Sequence, residues 1–129
     1  MAIDFGKALG IHPEALKLRA ERTKILASNI ANDSTPGYQA RDIDFAATLR
    51  SVAAGADSGT GGGSAGADAL FAEGAEMLYR VPFSPSQDGN TVEIGVEQAA
   101  FSQNAADFQT SLTFVNMKIK GLSEAIKGQ

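Results

Sequence analysis

From Thr91 to Lys127 the chain reads TVEIGVEQAAFSQNAADFQTSLTFVNMKIKGLSEAIK. Within it, Ile94, Phe101, Phe108, Val115 and Leu122 follow one another at intervals of seven residues. Ala105, Leu112, Ile119 and Ile126 form a second series at the same interval, each four residues after a member of the first. Steps alternating between four and three are the a/d pattern of a helix with a narrow apolar seam. Only Gln98 interrupts it. At ~1.5 Å per residue the helix is a rod of about 45 Å, weakened near its end by Gly121 and stopped at Lys127-Gly128. A helix so long and so narrowly apolar cannot bury its seam against itself, so it requires a partner.

The nearest partner is at the other end of the chain. A short helical piece is expected over Ile3 to Leu9, interrupted by Gly10. Ile11-His12-Pro13-Glu14 then reads as a helix start: Pro tolerates the first turn, and Glu14 meets the positive end of the helix dipole. From Pro13 to about Asn32 no Gly or Pro intervenes. Leu18 and Ile25 are spaced by seven, Leu26 and Ile30 by four, and Ala15, Leu16 and Ala27 widen the stripe. Arg22 and Asn29 fall beside it and read as a partly wetted seam, with a register-setting role as the lesser alternative. The helix ends in Asn32-Asp33-Ser34-Thr35-Pro36-Gly37-Tyr38, where Pro36 forces Thr35 out of helical geometry and Pro-Gly suits a type II turn. Asn32-Asp33-Ser34 also fits a glycosylation triplet, which carries little weight here.

Between the two helices the pattern weakens. Tyr38, Ala40, Ile43 and Phe45 interleave with polar residues and predict an extended segment. Phe45 to Val52 predicts a short helical turn. From Ala53 to Ala69, six Gly, six Ala and two Ser among 17 residues predict a flexible loop, since such side chains bury too little to offset backbone ordering. Either a helix over Ala69 to Tyr79 or a strand over Met77 to Phe83 follows, then stiffening at Pro82 and Pro85 and a turn at Asp88-Gly89-Asn90.

The predicted fold is therefore mainly α. Long N- and C-terminal helices pack as an antiparallel coiled coil, with an irregular, partly extended, Gly-rich middle. The divisions are 1–33, a helical segment; 34–90, the irregular middle with its loop at 53–69; and 91–129, the heptad helix. The candidate assembly seam comprises Leu18, Ile25, Ile30, Phe101, Phe108, Leu112, Val115, Ile119, Leu122 and Ile126.

Composition narrows the function. The 129 residues include no Trp, two Tyr, seven Phe and 14 Gly, so large core-forming side chains are few. Such a chain is expected to hold together poorly alone and better in an assembly. Its 15 acidic against 11 basic residues give a net charge of −4 without a basic block, which argues against nucleic-acid binding. Absent cysteine excludes disulfides, thiolate catalysis and Cys-based metal sites. No apolar run reaches the ~18 residues of a membrane-spanning helix. The charged first thirty residues lack the apolar region of a cleaved secretory signal.

Catalysis finds no footing. His12 is the only histidine and reads as surface. Asp42 and Asp44 share a face of the extended segment and would suit acid–base work or a metal. The plainer reading makes them solvated, or partners of a nearby Arg such as Arg41. Gly61-Gly62-Gly63 lacks the Lys-Ser/Thr and preceding strand of a phosphate loop, and reads as linker. No catalytic, cofactor-binding or metal-binding residue is assigned, and no small-molecule substrate is expected.

Three stretches carry a resemblance. Glu14 to Arg22 runs into Leu26-Ala27-Ser28-Asn29-Ile30-Ala31-Asn32 and then Thr35-Pro36-Gly37-Tyr38-Gln39-Ala40-Arg41-Asp42-Ile43-Asp44-Phe45. Asp88-Gly89-Asn90-Thr91-Val92 forms a turn before the last helix, and the heptad helix ends Gly121-Leu122-Ser123-Glu124-Ala125-Ile126. In this order they resemble the axial rod and hook proteins of the bacterial flagellum, with Ala-Arg-Asp-Ile-Asp-Phe narrowing the match toward the proximal rod. The match covers about two thirds of the chain and leaves the Gly-rich middle unmatched.

The resemblance implies a non-enzymatic structural subunit. Asn29, Asn32, Thr35, Pro36, Gly37 and Tyr38 would form the family's motif turn, and the terminal helices would build the inner tube of the rod. Implied partners are other copies of the chain, other rod proteins, the small rod-base protein FliE, the inner-membrane ring and the export gate. The implied site is the periplasmic rod of the basal body, reached unfolded through the flagellar type III apparatus without a cleaved signal. A coiled-coil adaptor or secretion chaperone is the alternative; it would share the helices but not need the motif turn.

Overall fold

Asp4 begins the first helix by accepting, at Oδ1, the amides of Gly6 (3.0 Å) and Lys7 (3.3 Å). In this computed structural model, which describes residues 4–57 and 77–128, helix α1 spans Phe5–Leu9 and stops at Gly10. Helix α2 follows over His12–Ala31, with Pro13 and Glu14 in its first turn. It ends where Asn32 turns back on it: the Asn32 amide and side-chain Nδ2 both donate to the Ser28 carbonyl, at 3.2 and 2.8 Å. Strand β1 is Arg41–Ile43, helix α3 is Phe45–Asp57, strand β2 is Met77–Tyr79 and helix α4 is Ile94–Lys127. Gly128, at φ 74°, closes α4 in the left-handed conformation that glycine adopts freely.

The main packing is α2 against α4, antiparallel, with α1 resting on α4. Strands β1 and β2 pair antiparallel, Asp42 opposite Leu78, and β1 lies on α2. Among the described residues the buried apolar core is small: Ala15, Leu18, Leu26, Ala40 and Ile43. Of the four largest side chains sealed completely from solvent among the described residues, only Leu26 is apolar; the others are Asn29, Glu97 and Asn104.

The mainly helical class is as expected, and both terminal helices begin and end within a few residues of their predicted bounds. The extended segment is shorter than predicted, because Asp44 accepts the Ala47 amide at 2.9 Å and starts α3 at Phe45. That helix continues through Asp57, so residues 53–57, expected to begin the loop, are helical. Alanine at 53, 54 and 56 has the highest helix propensity of any residue, and in this stretch it outweighs the single Gly55. The remainder of the predicted loop, 58–69, lies outside the described residues, as does most of the alternative helix over 69–79. Its last three residues form β2, which ends at Tyr79 short of the predicted Phe83.

Candidate functional site

The family-like motif turn is built around two asparagines. Asn29, in the last turns of α2, is fully buried. Its Nδ2 donates to the Arg41 carbonyl at 2.6 Å and to Glu97 Oε2 at 3.0 Å, while its Oδ1 accepts the Arg41 amide at 3.1 Å. One side chain thus holds both backbone groups of a β1 residue and reaches α4. Asn90 serves the other half of the turn. Its Nδ2 donates to the carbonyls of Asn32 (3.0 Å), Asp33 (2.8 Å) and Thr35 (2.8 Å). These groups follow the end of α2, where helical partners have run out.

The two segments are laced by backbone as well. Gly37 donates to the Asp88 carbonyl at 2.9 Å, Thr91 donates to Tyr38 O at 2.9 Å, and Ala40 N donates to Thr91 Oγ1 at 2.7 Å. Gly37 at φ 71° supplies the turn that Pro36 introduces. The Tyr38 hydroxyl sits 3.1 Å from Ser28 Oγ, and Thr35 Oγ1 donates to Asn32 Oδ1 at 3.1 Å. Asp88 is held below the usual carboxylate range by the Ser86 hydroxyl and the Asn90 amide, which both donate to it.

A chain of charges joins this turn to the helices. Arg22 of α2 grips Asp42 of β1 with Nε at 2.9 Å and a terminal nitrogen at 3.0 Å. Arg80 donates to the same carboxylate at 2.8 Å and lies 3.3 Å from Glu97 of α4. Burial alone pushes the Asp42 carboxyl up. Hydrogen bonds from Arg22 and the Ile43 amide, with the charges of Arg22 and Arg80, outweigh it and hold Asp42 below its ordinary value. Asp42 and Asp44 are therefore not a working pair: the first is an ionic clamp and the second a helix cap. Arg41, the partner expected for them, instead lies over the Tyr79 ring at 5.8 Å. His12 packs its ring 5.6 Å from that of Phe114.

The face α4 turns toward α2 is centred on Glu97 and Asn104 rather than on the apolar seam. Asn104 Nδ2 donates to the Arg19 carbonyl at 2.9 Å and to Thr23 Oγ1 at 2.8 Å. Of the proposed seam, Leu18 is buried, whereas Ile25, Ile30, Phe101, Phe108, Leu112, Val115 and Leu122 are half-buried and Ile119 and Ile126 are exposed. Phe114 and Met117 add to the exposed apolar surface of the same helix. A second apolar patch follows β2, where Val81 and Phe83 are nearly 90 % exposed (87 % and 88 %). Sequence reading missed Glu97, Asn104 and Arg80. The first two carried a usable signal, since they repeat at seven residues beside the apolar series.

A family model described as "Flagella basal body rod protein" matches residues 9–39, which are α2 and the motif turn. Flagellar basal body rod protein FlgB of Cereibacter sphaeroides is 50 % identical over 130 residues, spanning 97 % of this chain and 98 % of the relative. FlgB of Salmonella typhimurium is 43 % identical over 129 residues, 94 % of each chain. FlgB of Escherichia coli K12 is 44 % identical over 128 residues, 93 % of each.

Proposed function

Because this chain belongs to the FlgB family of flagellar basal body rod proteins, and so is a structural component of the rod and not an enzyme, we propose that it forms the proximal rod. There it would serve as part of the drive shaft between the inner-membrane ring with its export gate and the distal rod and hook. It works in assembly with other flagellar rod components. The specific neighbours proposed are further copies of itself, the rod-base protein FliE, the ring and the gate. Export would be through the flagellar type III apparatus, a route that a small apolar core and the absence of cysteine both suit. The adaptor or chaperone alternative is not favoured by the rod-protein relatives.

The observation that carries this reading is identity to rod proteins along nearly the whole chain. The physical account is consistent with it. Helices α2 and α4 bury only part of each other, and the row through Phe108, Leu112, Val115, Ile119 and Ile126 retains exposed apolar area. Covering it with neighbours is favourable by about 25 cal/mol per Å². A contact between unlike surfaces that does not close on itself gives a helical array, which is the form a shaft needs. The test is complementation of a strain lacking its own copy with a chain deleted for residues 110–129. Neither rods nor swimming are expected; normal rods would overturn the role assigned to that helix.

A further inference from the structure

The apolar series on α4 does not by itself choose how α4 lies along α2. Slide α4 by seven residues, about 10 Å, and Phe108 takes the place of Phe101, Val115 that of Phe108, and Leu122 that of Val115. Each replacement is apolar for apolar. Yet the structure shows a single register, marked at three levels. Asn29 meets Glu97. Ten residues back along α2, Arg19 meets Asp107, ten residues on along α4, at 3.1 Å. Seven further in each direction, His12 meets Phe114.

Outside α4, Asn90 and Thr91 tie its start to the turn after α2; within the α2–α4 interface, the residues that break the degeneracy are polar and completely buried. Glu97 Oε2 accepts from Asn29, and its Oε1 meets the Arg80 guanidinium at 3.3 Å. Asn104 donates to Arg19 O and Thr23 Oγ1, but its Oδ1 has no hydrogen-bond partner among the described residues. A seven-residue slip would set Asn104 against Asn29 and Ser111 against Arg19 and Thr23, breaking the Asn29–Glu97 bond. An unpartnered buried carbonyl is unfavourable for stability, so Asn104 is poorly explained as a stabilising residue. A buried polar side chain in an apolar helix interface is well suited to choosing a register.

We propose that Glu97 and Asn104 are positioning residues that select one register of α2 against α4, and thereby the apolar face that α4 presents to neighbouring subunits. The second half rests on the rod reading; the first does not. Because the chain has no cysteine, introduced pairs report register cleanly. Ala15 lies four residues before Arg19 and Ser111 four after Asp107, which sets them opposite one another. In the purified full-length chain, Ala15→Cys with Ser111→Cys should form a disulfide, and Ala15→Cys with Lys118→Cys should not.

Adding Glu97→Leu and Asn104→Leu should keep the helical circular-dichroism signal while the 15–118 pair begins to close and the 15–111 pair loses yield. Glu97→Gln retains an acceptor for Asn29 and should keep the parent pattern. The proposal is overturned if the Leu variant closes only 15–111, or if it loses its helical signal. It is equally overturned if Glu97→Gln slips like the Leu variant, or if the parent fails to close 15–111. In complemented cells the slipped variant should not swim. Normal swimming would remove the second half of the proposal and leave the rod reading standing.

Discussion

Asn90 donates from Nδ2 to the carbonyl oxygen of Thr35 at 2.8 Å, bridging segments 55 residues apart in sequence. The same nitrogen serves the Asn32 and Asp33 carbonyls, and Asn90 is itself 5 % exposed. The turn that follows α2 is therefore held from the segment that precedes α4. Replacing Asn90 by Ala leaves these carbonyls without their shared donor. We expect Asn90→Ala to destabilise the chain by about 1–3 kcal/mol, read as a lowered midpoint in urea with little change of slope. Asn90→Asp should be no better, because a carboxylate supplies no N–H.

The clamp of Arg22 on Asp42 gives a pH dependence whose sign is fixed. The folded carboxyl titrates below its ordinary value of 3.8, so the folded state binds fewer protons there than the unfolded state. The stabilisation is complete above about pH 5 and disappears as pH falls through the unfolded and then the folded value. Asp42→Asn should flatten that part of the stability curve. It should also cost about 1–3 kcal/mol at neutral pH, since two half-buried guanidiniums lose their shared anion. Denaturant midpoints of both chains between pH 2 and 7 check it; a slope unchanged by Asp42→Asn would reject the assignment.

Much of this architecture was legible because it is periodic. Seven-residue spacing from Ile94 to Ile126 announced the long helix, and Pro13 and Pro36 bracketed α2. What stayed hidden depends on contacts between distant residues. Nothing local about Asn29 distinguishes a wetted seam residue from a sealed one hydrogen-bonded to Arg41 and Glu97. Arg22 finds its carboxylate twenty residues away in β1, and Arg80 reaches it from just beyond the end of β2, in a stretch whose sequence pattern is ambiguous. The alanines after Val52 share one small-residue run with the glycines beyond them, yet alanine favours helix and glycine opposes it, so composition over the whole run hides where α3 ends.

Gly37 offers a test of backbone alone. Its φ of 71° lies where a side chain is strained, and a Cβ placed on it would meet nothing within 4 Å. Gly37→Ala should therefore cost about 1–2 kcal/mol through conformation rather than collision. The Gly37 amide still donates to Asp88 O, so the hydrogen bond remains. A thermal melt that drops by a few degrees with unchanged helical content agrees; an unchanged melt would mean that the turn relaxes.

Leu26 and Ile119 separate what holds the single chain together from the surface proposed to hold subunits to one another. Leu26 on α2 is completely sealed from solvent, whereas Ile119 on α4 is 50 % exposed. Leu26→Ala removes apolar volume that has no solvent to refill it and should cost about 2–5 kcal/mol. Ile119→Asp changes a side chain half in water, so single-chain stability should move far less than for Leu26→Ala, by about 0.5 kcal/mol. Phe108, half-buried, should fall between them on truncation. In the assembled state the order reverses for Ile119. A carboxylate placed in an apolar contact between subunits loses its hydration without a partner, which is far more costly than a lost methyl group. Cells carrying Ile119→Asp should thus make a stable protein and fail to swim. If they swim normally, the exposed row of α4 is not a subunit contact, and the surface that builds the shaft must be sought instead around Val81 and Phe83.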